Sequence, residues 1–163
     1  MTASRYADEL SALLGRSSDA SQLLAWTLGW LAISVRFKGG SIARLNAADE
    51  LEIVAAFGQL DEAARKVKLR RGEGIAGTVV STGQAIYNPD LDRPAAPVTA
   101  ANRNTGTNRL IRSYLCAPLK TGTRVIGVMQ IDSERADAFA PDDVALFEAV
   151  ALTLSLSGAL AGW

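Results

Sequence analysis

The chain has 163 residues, 48 % of them hydrophobic, and Lys plus Arg and Asp plus Glu both number 17, so its formal net charge is zero. A neutral chain of mixed signs has no global electrostatic reason to bind nucleic acid or an anionic membrane. It contains no histidine and one cysteine, Cys116. That removes histidine acid–base chemistry, Ser–His–Asp and Cys–His arrangements, histidine-ligated haem or metal, and any disulfide within the chain. The length fits one domain over 1–163, with a core over about 20–160 and an N-terminal helical segment over 1–18.

Taken in order, Ser4–Leu14 reads as a helix with Tyr6, Leu10, Leu13 and Leu14 on one stripe. Asp8 and Glu9 lie where a signal peptide would need an apolar core, so the cytoplasm is the expected compartment. Met1 directly before a capped helix points to a stand-alone protein. Gly15 ends this helix, and Ser17-Ser18-Asp19 offers the next N-cap. The second helix, Ala20–Val35, is apolar over most of its circumference, with Trp26 and Trp30 on a shared face. It needs more than one packing partner, and either core packing or a helical dimer interface supplies one. It is too short and too interrupted to span a bilayer.

Gly39-Gly40 breaks that helix. Ser41–Leu45 and Leu51–Phe57 read as antiparallel strands joined by a turn holding Asn46 and Asp49. Gln59–Lys66 is either a short polar helix or a loop. Val67–Arg70 alternates like an edge strand, and the basic cluster Arg65, Lys66, Lys68, Arg70 and Arg71 is read as a solvated face. Gly72-x-Gly74-x-x-Gly77 matches a dinucleotide fingerprint, with Asp92 about 20 residues on. The glycines open a short helix, Gly74–Thr82, that Gly83 closes in left-handed conformation. Ala85–Tyr87 is a short strand, and Asn88-Pro89-Asp90 a turn. The proline-bearing run from Asn88 to Arg109 is long for a connection and reads as a lid, with a weak helical piece near Val98–Asn102. Arg112–Leu119 and Arg124–Ser133 are strands around a Gly122 turn. Pro141-Asp142-Asp143 starts a last apolar helix that runs to about Leu160.

The ordered set of motifs is distinctive. Leu69-Arg70-Arg71-Gly72-Glu73-Gly74-Ile75-Ala76-Gly77 is followed by Thr82-Gly83, then by Asp90 beyond the next strand. After a variable loop come Arg112-Ser113-x-Leu115-x-Ala117-Pro118-Leu119, Val125-Ile126-Gly127-Val128 and Phe139-x-Pro141-x-Asp143. In this order and spacing the chain resembles a GAF domain, a sensory and regulatory module, over about 20–160. The resemblance implies an α+β, profilin- or PAS-like fold with an antiparallel sheet of five to six strands. The terminal helices cover one face, and short helices and loops form a pocket on the other. A dinucleotide site needs a right-handed βαβ unit in a parallel sheet, so the resemblance assigns the three glycines a backbone role.

The resemblance also implies a small-molecule ligand. In the implied pocket, Ser113, Leu115 and Ala117 point inward along one strand face, while Cys116 faces the helices as a buried structural thiol. Ile75, Val79, Tyr87, Asp90 and Leu91 form walls. Arg112 at the strand mouth, or the N–H groups opening the Gly74 helix, are placed to meet an anion, with a surface salt bridge as the alternative for Arg112. No metal or cofactor is implied. Bilin and haem attachment need histidine, and the members that reduce free methionine sulfoxide need several cysteines. The cyclic-nucleotide signature is reduced to a Phe139-x-x-x-Asp143 echo.

The expected function is therefore a non-enzymatic ligand-sensing domain. It would dimerise through helices 20–35 and 142–160 and relay to a separate signalling partner such as a kinase or regulator. The alternatives are a ligand-free dimerisation or protein-interaction module, a nitrate-type small-anion sensor for a histidine kinase, and a cyclic-nucleotide binder. Nothing points to a nucleic-acid or membrane partner.

Overall fold

The computed structural model describes residues 1–16, 19–58, 66, 68–93 and 111–163. The expectations for Gln59–Lys66 (Lys66 excepted) and for the helical piece near Val98–Asn102 lie outside the described residues. So does most of the expected lid.

Helix α1 spans Ala3–Leu14, and the Thr2 hydroxyl caps it by accepting from the Arg5 N–H. Helix α2 spans Ala20–Ser34, with the Asp19 carboxylate accepting from the Ser21 N–H. The apolar stripe of α1 meets α2 at an aromatic clasp. Tyr6 stacks on Trp26 with ring centroids 5.6 Å apart and meets Trp30 edge-on at 5.1 Å. The Tyr6 hydroxyl shares a 2.9 Å hydrogen bond with Thr27. Burial pushes the Tyr6 phenol above its ordinary pKa, so this pair stays neutral.

The strands are β1 Gly39–Leu45, β2 Glu50–Gly58, β3 Leu69–Arg70, β4 Ile86–Asn88, β5 Ser113–Thr121 and β6 Arg124–Ser133. They form one antiparallel sheet in the order β3-β2-β1-β6-β5-β4. Helix α3, Gly74–Thr82, ends at Gly83 with φ 66°, the left-handed closure expected from the sequence. Helix α4, Pro141–Leu156, starts at the expected proline. Asp143 reaches back to accept from the Ala140 N–H at 2.9 Å, which satisfies an otherwise orphaned donor. The helix stops short of the expected Leu160 because Gly158 turns the chain in left-handed conformation. The turned segment brings Trp163 back onto the sheet, where its ring lies over Gly127; a Cβ there would sit 2.9 Å from the ring and overlap the Ala43 carbonyl oxygen.

The sheet divides the interior in two. On one side α1, α2 and α4 bury Leu24, Leu28, Leu31, Ile42, Phe147 and Leu154 in a single cluster. On the other, α3 places Ile75, Ala76, Val79 and Val80 against Ala43, Leu51, Tyr114, Cys116 and Val128. This is an α+β architecture.

Candidate functional site

The α3 side carries the candidate site. Helix α3 lies close to the sheet because Gly77 has no side chain: a Cβ would overlap the Arg70 carbonyl oxygen and sit 3.1 Å from the Gly72 nitrogen. The Gly72 N–H donates to the Gly77 carbonyl at 2.8 Å, and Glu73 accepts from the Arg70 N–H at 2.9 Å. The three glycines thus fold the β3–α3 junction on itself. The sheet is antiparallel throughout, so the βαβ setting of a dinucleotide fingerprint is absent among the described residues. The Glu73 carboxylate stands beside the start of α3, which makes that helix end a poor anion seat.

Beyond α3, this sheet face turns polar. Ser41, Gln130 and Cys116 lie side by side on β1, β6 and β5, and Asn88 pairs with Tyr114 across β4 and β5. The Tyr114 hydroxyl donates to Gln130 Oε1, and Gln130 Nε2 donates to Ser41 Oγ at 2.6 Å. Desolvation raises the Tyr114 phenol well above its ordinary range, with the neighbouring Cys116 adding to it. Desolvation also pushes the Cys116 thiol up, so it is a neutral, fully buried group. Asn88 is only 7 % exposed, and its Oδ1 has no hydrogen-bond partner among the described residues. A buried acceptor left unpaired is costly, which makes it a ready partner for a donor arriving from outside the chain.

The structure corrects the expected orientation of β5. Ser113, Leu115 and Ala117 face the terminal helices, and Tyr114 and Cys116 face α3. Ser113 Oγ donates to the Arg135 carbonyl at 2.8 Å, and Leu115 and Ala117 belong to the helix-side core. Tyr87 is also on that side: it pairs with Leu115, donates to the Phe139 carbonyl at 3.1 Å and meets the Phe139 ring edge-on. The physical reason is that β5 is apolar on both faces. Alternation shows which residues share a face and not which layer covers it.

Ile75, Val79 and Leu91 do come together, in the α3-side cluster. Asp90 and Arg112 adjoin them as a fork-to-fork ion pair: Nε to Oδ1 is 3.0 Å and Nη2 to Oδ2 is 2.9 Å, with the Asp92 carboxylate also 3.1 Å from Nε. The Arg112 side-chain hydrogen bonds hold Asp90 below the usual carboxylate range, and Asp90 raises the Arg112 guanidinium in return. The guanidinium is therefore committed to carboxylates of its own chain, so the salt-bridge alternative is the one realised. Backbone bonds pin the same corner, from the Leu91 N–H to the Arg112 carbonyl at 2.6 Å and from the Arg112 N–H to the Ser133 carbonyl at 2.8 Å. The sequence reading missed Ser41, Asn88, Tyr114 and Gln130. The available signals were Gln130 interrupting an apolar strand and Asn88 ending β4.

With this geometry in hand, comparison with known proteins defines the class. Residues 7–157 match the GAF domain family, and the chain belongs to it. Over 124 residues it is 31 % identical to the Nif-specific regulatory protein of Azospirillum lipoferum, covering 76 % of this chain and 20 % of that protein. The chain thus spans about a fifth of the length of the curated relatives it matches. The GAF domain of a phosphoenolpyruvate-protein phosphotransferase from Coxiella burnetii superposes with a TM-score of 0.80 at 18 % identity, covering 99 % of this chain and 95 % of that one. The free methionine-R-sulfoxide reductase of Neisseria meningitidis, solved with its substrate, gives 0.76 at 23 % identity, covering 95 % and 89 %. These two likenesses show the fold. The Azospirillum relative is a regulatory protein. No helix among the described residues is long and apolar enough to cross a membrane.

Proposed function

We propose that this GAF domain is a non-enzymatic sensor that binds a small molecule on the α3 side of its sheet and relays occupancy through α2 and α4. The observation that carries the reading is the buried polar strip Ser41–Gln130–Tyr114 beside the unpartnered Asn88 Oδ1. An unpaired buried acceptor costs stability, and a donor supplied by a ligand offsets that cost. The ligand therefore presents at least one hydrogen-bond donor to Asn88. Ile75, Val79 and Leu91 supply the apolar wall, and the Asp90–Arg112 pair fixes its rim. The similarity to a Nif-specific regulatory protein supports a regulatory output, read by a kinase or regulator in contact with the terminal helices.

Thermal-shift screening against amino acids, nucleotides, oxoanions and carboxylates tests this. A true ligand at 100 times its Kd stabilises by about 2.7 kcal/mol, and Asn88→Ala removes the shift. If no compound moves the midpoint, the sensing reading loses to a ligand-free dimerisation module. That second reading is supported by Ile33 on α2 and Leu152 and Leu156 on α4, which are 75 %, 61 % and 78 % exposed. Sedimentation of Ile33→Asp and Leu156→Asp variants reads that homodimer directly.

The reductase chemistry of one structural neighbour does not suit this chain. Its single thiol is buried, protonated and without a second cysteine to close a disulfide. Turnover of free methionine sulfoxide with dithiothreitol that vanished in Cys116→Ala would overturn the non-enzymatic reading.

A further inference from the structure

On the opposite side of the sheet from α3, a cleft of about 630 Å³ opens between the C-terminal end of α2, the start of β1, the end of β6 and the first turn of α4. It exists because α2 stops at Ser34 and the chain needs Val35–Lys38 to reach β1, while β6 ends at Ser133 and Glu134–Ala140 must turn into α4. Three cations line it: Arg36, Lys38 and Arg135. Among the described residues none of the three forms an ion pair. Two carboxylates, Glu134 and Asp143, share the lining, the second accepting from the Ala140 N–H at the cap of α4, so cations exceed carboxylates there by one.

Two further features separate this cleft from an ordinary charged surface. Ser34 Oγ is buried in its wall with no hydrogen-bond partner among the described residues. The backbone that carries Arg135 is held from both sides: its N–H donates to Ser133 Oγ at 3.2 Å, and its carbonyl accepts from Ser113 Oγ at 2.8 Å. Phe37, edge-on to Phe57 at 5.5 Å, adds a fixed aromatic wall. An excess of cations without ion-pair partners around a concave, partly apolar surface concentrates anions. The volume lies within the range of about 300–1,000 Å³ typical of small-molecule sites and exceeds what an inorganic ion fills.

We propose that this cleft is a second binding site, for a small organic oxyanion whose phosphate or carboxylate groups pair with Arg36, Lys38 and Arg135. The ligand also gives Ser34 Oγ the partner it lacks, and its apolar part rests on Phe37. The site joins the end of α2 to the start of α4, so an occupant would clamp the two helices that the sensing reading assigns to output. The site itself does not depend on that reading, because it shares no residue with the α3 side.

Amide-resolved NMR titration of the whole chain with inorganic phosphate, and separately with citrate, tests the proposal. Saturable shifts are expected at Ser34, Phe37, Ser133 and Arg135, weakening as sodium chloride is raised. Whichever anion binds more tightly identifies a phosphate or a carboxylate site. Arg36→Ala combined with Arg135→Ala, both exposed positions that leave the core intact, should weaken binding at least about tenfold, and Ser34→Ala should weaken it less. Non-saturating shifts spread over the surface, or saturable binding that survives the double substitution, overturn the proposal. Shifts confined to the α3 face would bear on the sensing reading and refute this second site.

Discussion

The two faces of the sheet do different work. The helix face is apolar at its centre: Leu24, Leu28, Leu31, Ile42, Phe147 and Leu154 are essentially inaccessible, and the Tyr6 and Thr27 hydroxyls admitted there bond each other. The α3 face is half apolar and half polar, and it leaves Asn88 Oδ1 unpaired. Apolar burial is the main favourable contribution to folding, whereas unpaired buried polar atoms subtract from it. Apolar packing is thus concentrated at the centre of the helix face, while the polar groups available to a ligand lie on the α3 face and around the Arg36–Lys38–Arg135 cleft at the margin of the helix side.

The largest effect should come from breaking the helix face. Phe147→Ala removes a fully buried ring and is expected to cost about 3–5 kcal/mol in denaturant unfolding. A cost below that of an exposed substitution would mean that the helices are not the stabilising layer. Next is Gly77→Ala, which forces α3 away from the Arg70 carbonyl and should cost about 1–3 kcal/mol. It should also weaken any ligand of the α3 face, whereas Phe147→Ala should leave the intrinsic affinity of the folded fraction unchanged.

A smaller effect is expected for Tyr114→Phe, which strips Gln130 Oε1 of its donor at a cost of about 1 kcal/mol. If that variant binds ligand as the parent does, the polar strip is structural, and the contrast between the faces narrows to packing. The smallest concerns pH. Asp90 has its folded pKa depressed by Arg112, so its contribution is present above the unfolded carboxylate pKa, about 3.9, and fades as the pH falls through the lower folded value. Asp90→Asn should therefore flatten the acid limb of the stability profile relative to the parent. Parallel acid limbs would show that the pair contributes nothing measurable. Asp49 and Glu52 are depressed in the same direction by Arg71, and by Asn46 and Lys68, so the difference between parent and variant is the quantity to measure.

Much of this architecture was legible in the residues. Pro141 and Asp143 marked the start of α4, Gly83 marked the end of α3, the stripe of Tyr6 and Leu10 located α1, and the β-branched run of Arg124–Ser133 located β6. These features rest on local geometry: caps, left-handed glycines and side-chain periods act within a few residues. The order of the glycine motif, the β5–β6 hairpin and the Phe139-x-Pro141-x-Asp143 start was enough to indicate the GAF family, and the match over 7–157 bears that out.

The candidate site was less legible, and Leu115, Arg112 and Trp163 show why. Leu115 was assigned to a face correctly shared with Ser113 and Ala117, but to the wrong layer, because period-two alternation carries no information about what packs above or below the sheet. Arg112 was set at the right corner, yet its partner lies 22 residues away in sequence and only the fold brings the two together. The last helix, expected to run to about Leu160, ends at Leu156, and the chain then turns at Gly158 and lays Trp163 over Gly127. By itself the sequence determined the elements, several of their caps and the family, since those follow from short-range sterics and hydrogen bonding and from the order of the motifs. Only the tertiary structure decided which polar side chains meet beneath α3, which charges pair with one another, and which, like Arg36, Lys38 and Arg135, gather around a cleft with no ion pair among the described residues. Those outcomes depend on contacts between distant segments, and no local pattern encodes them.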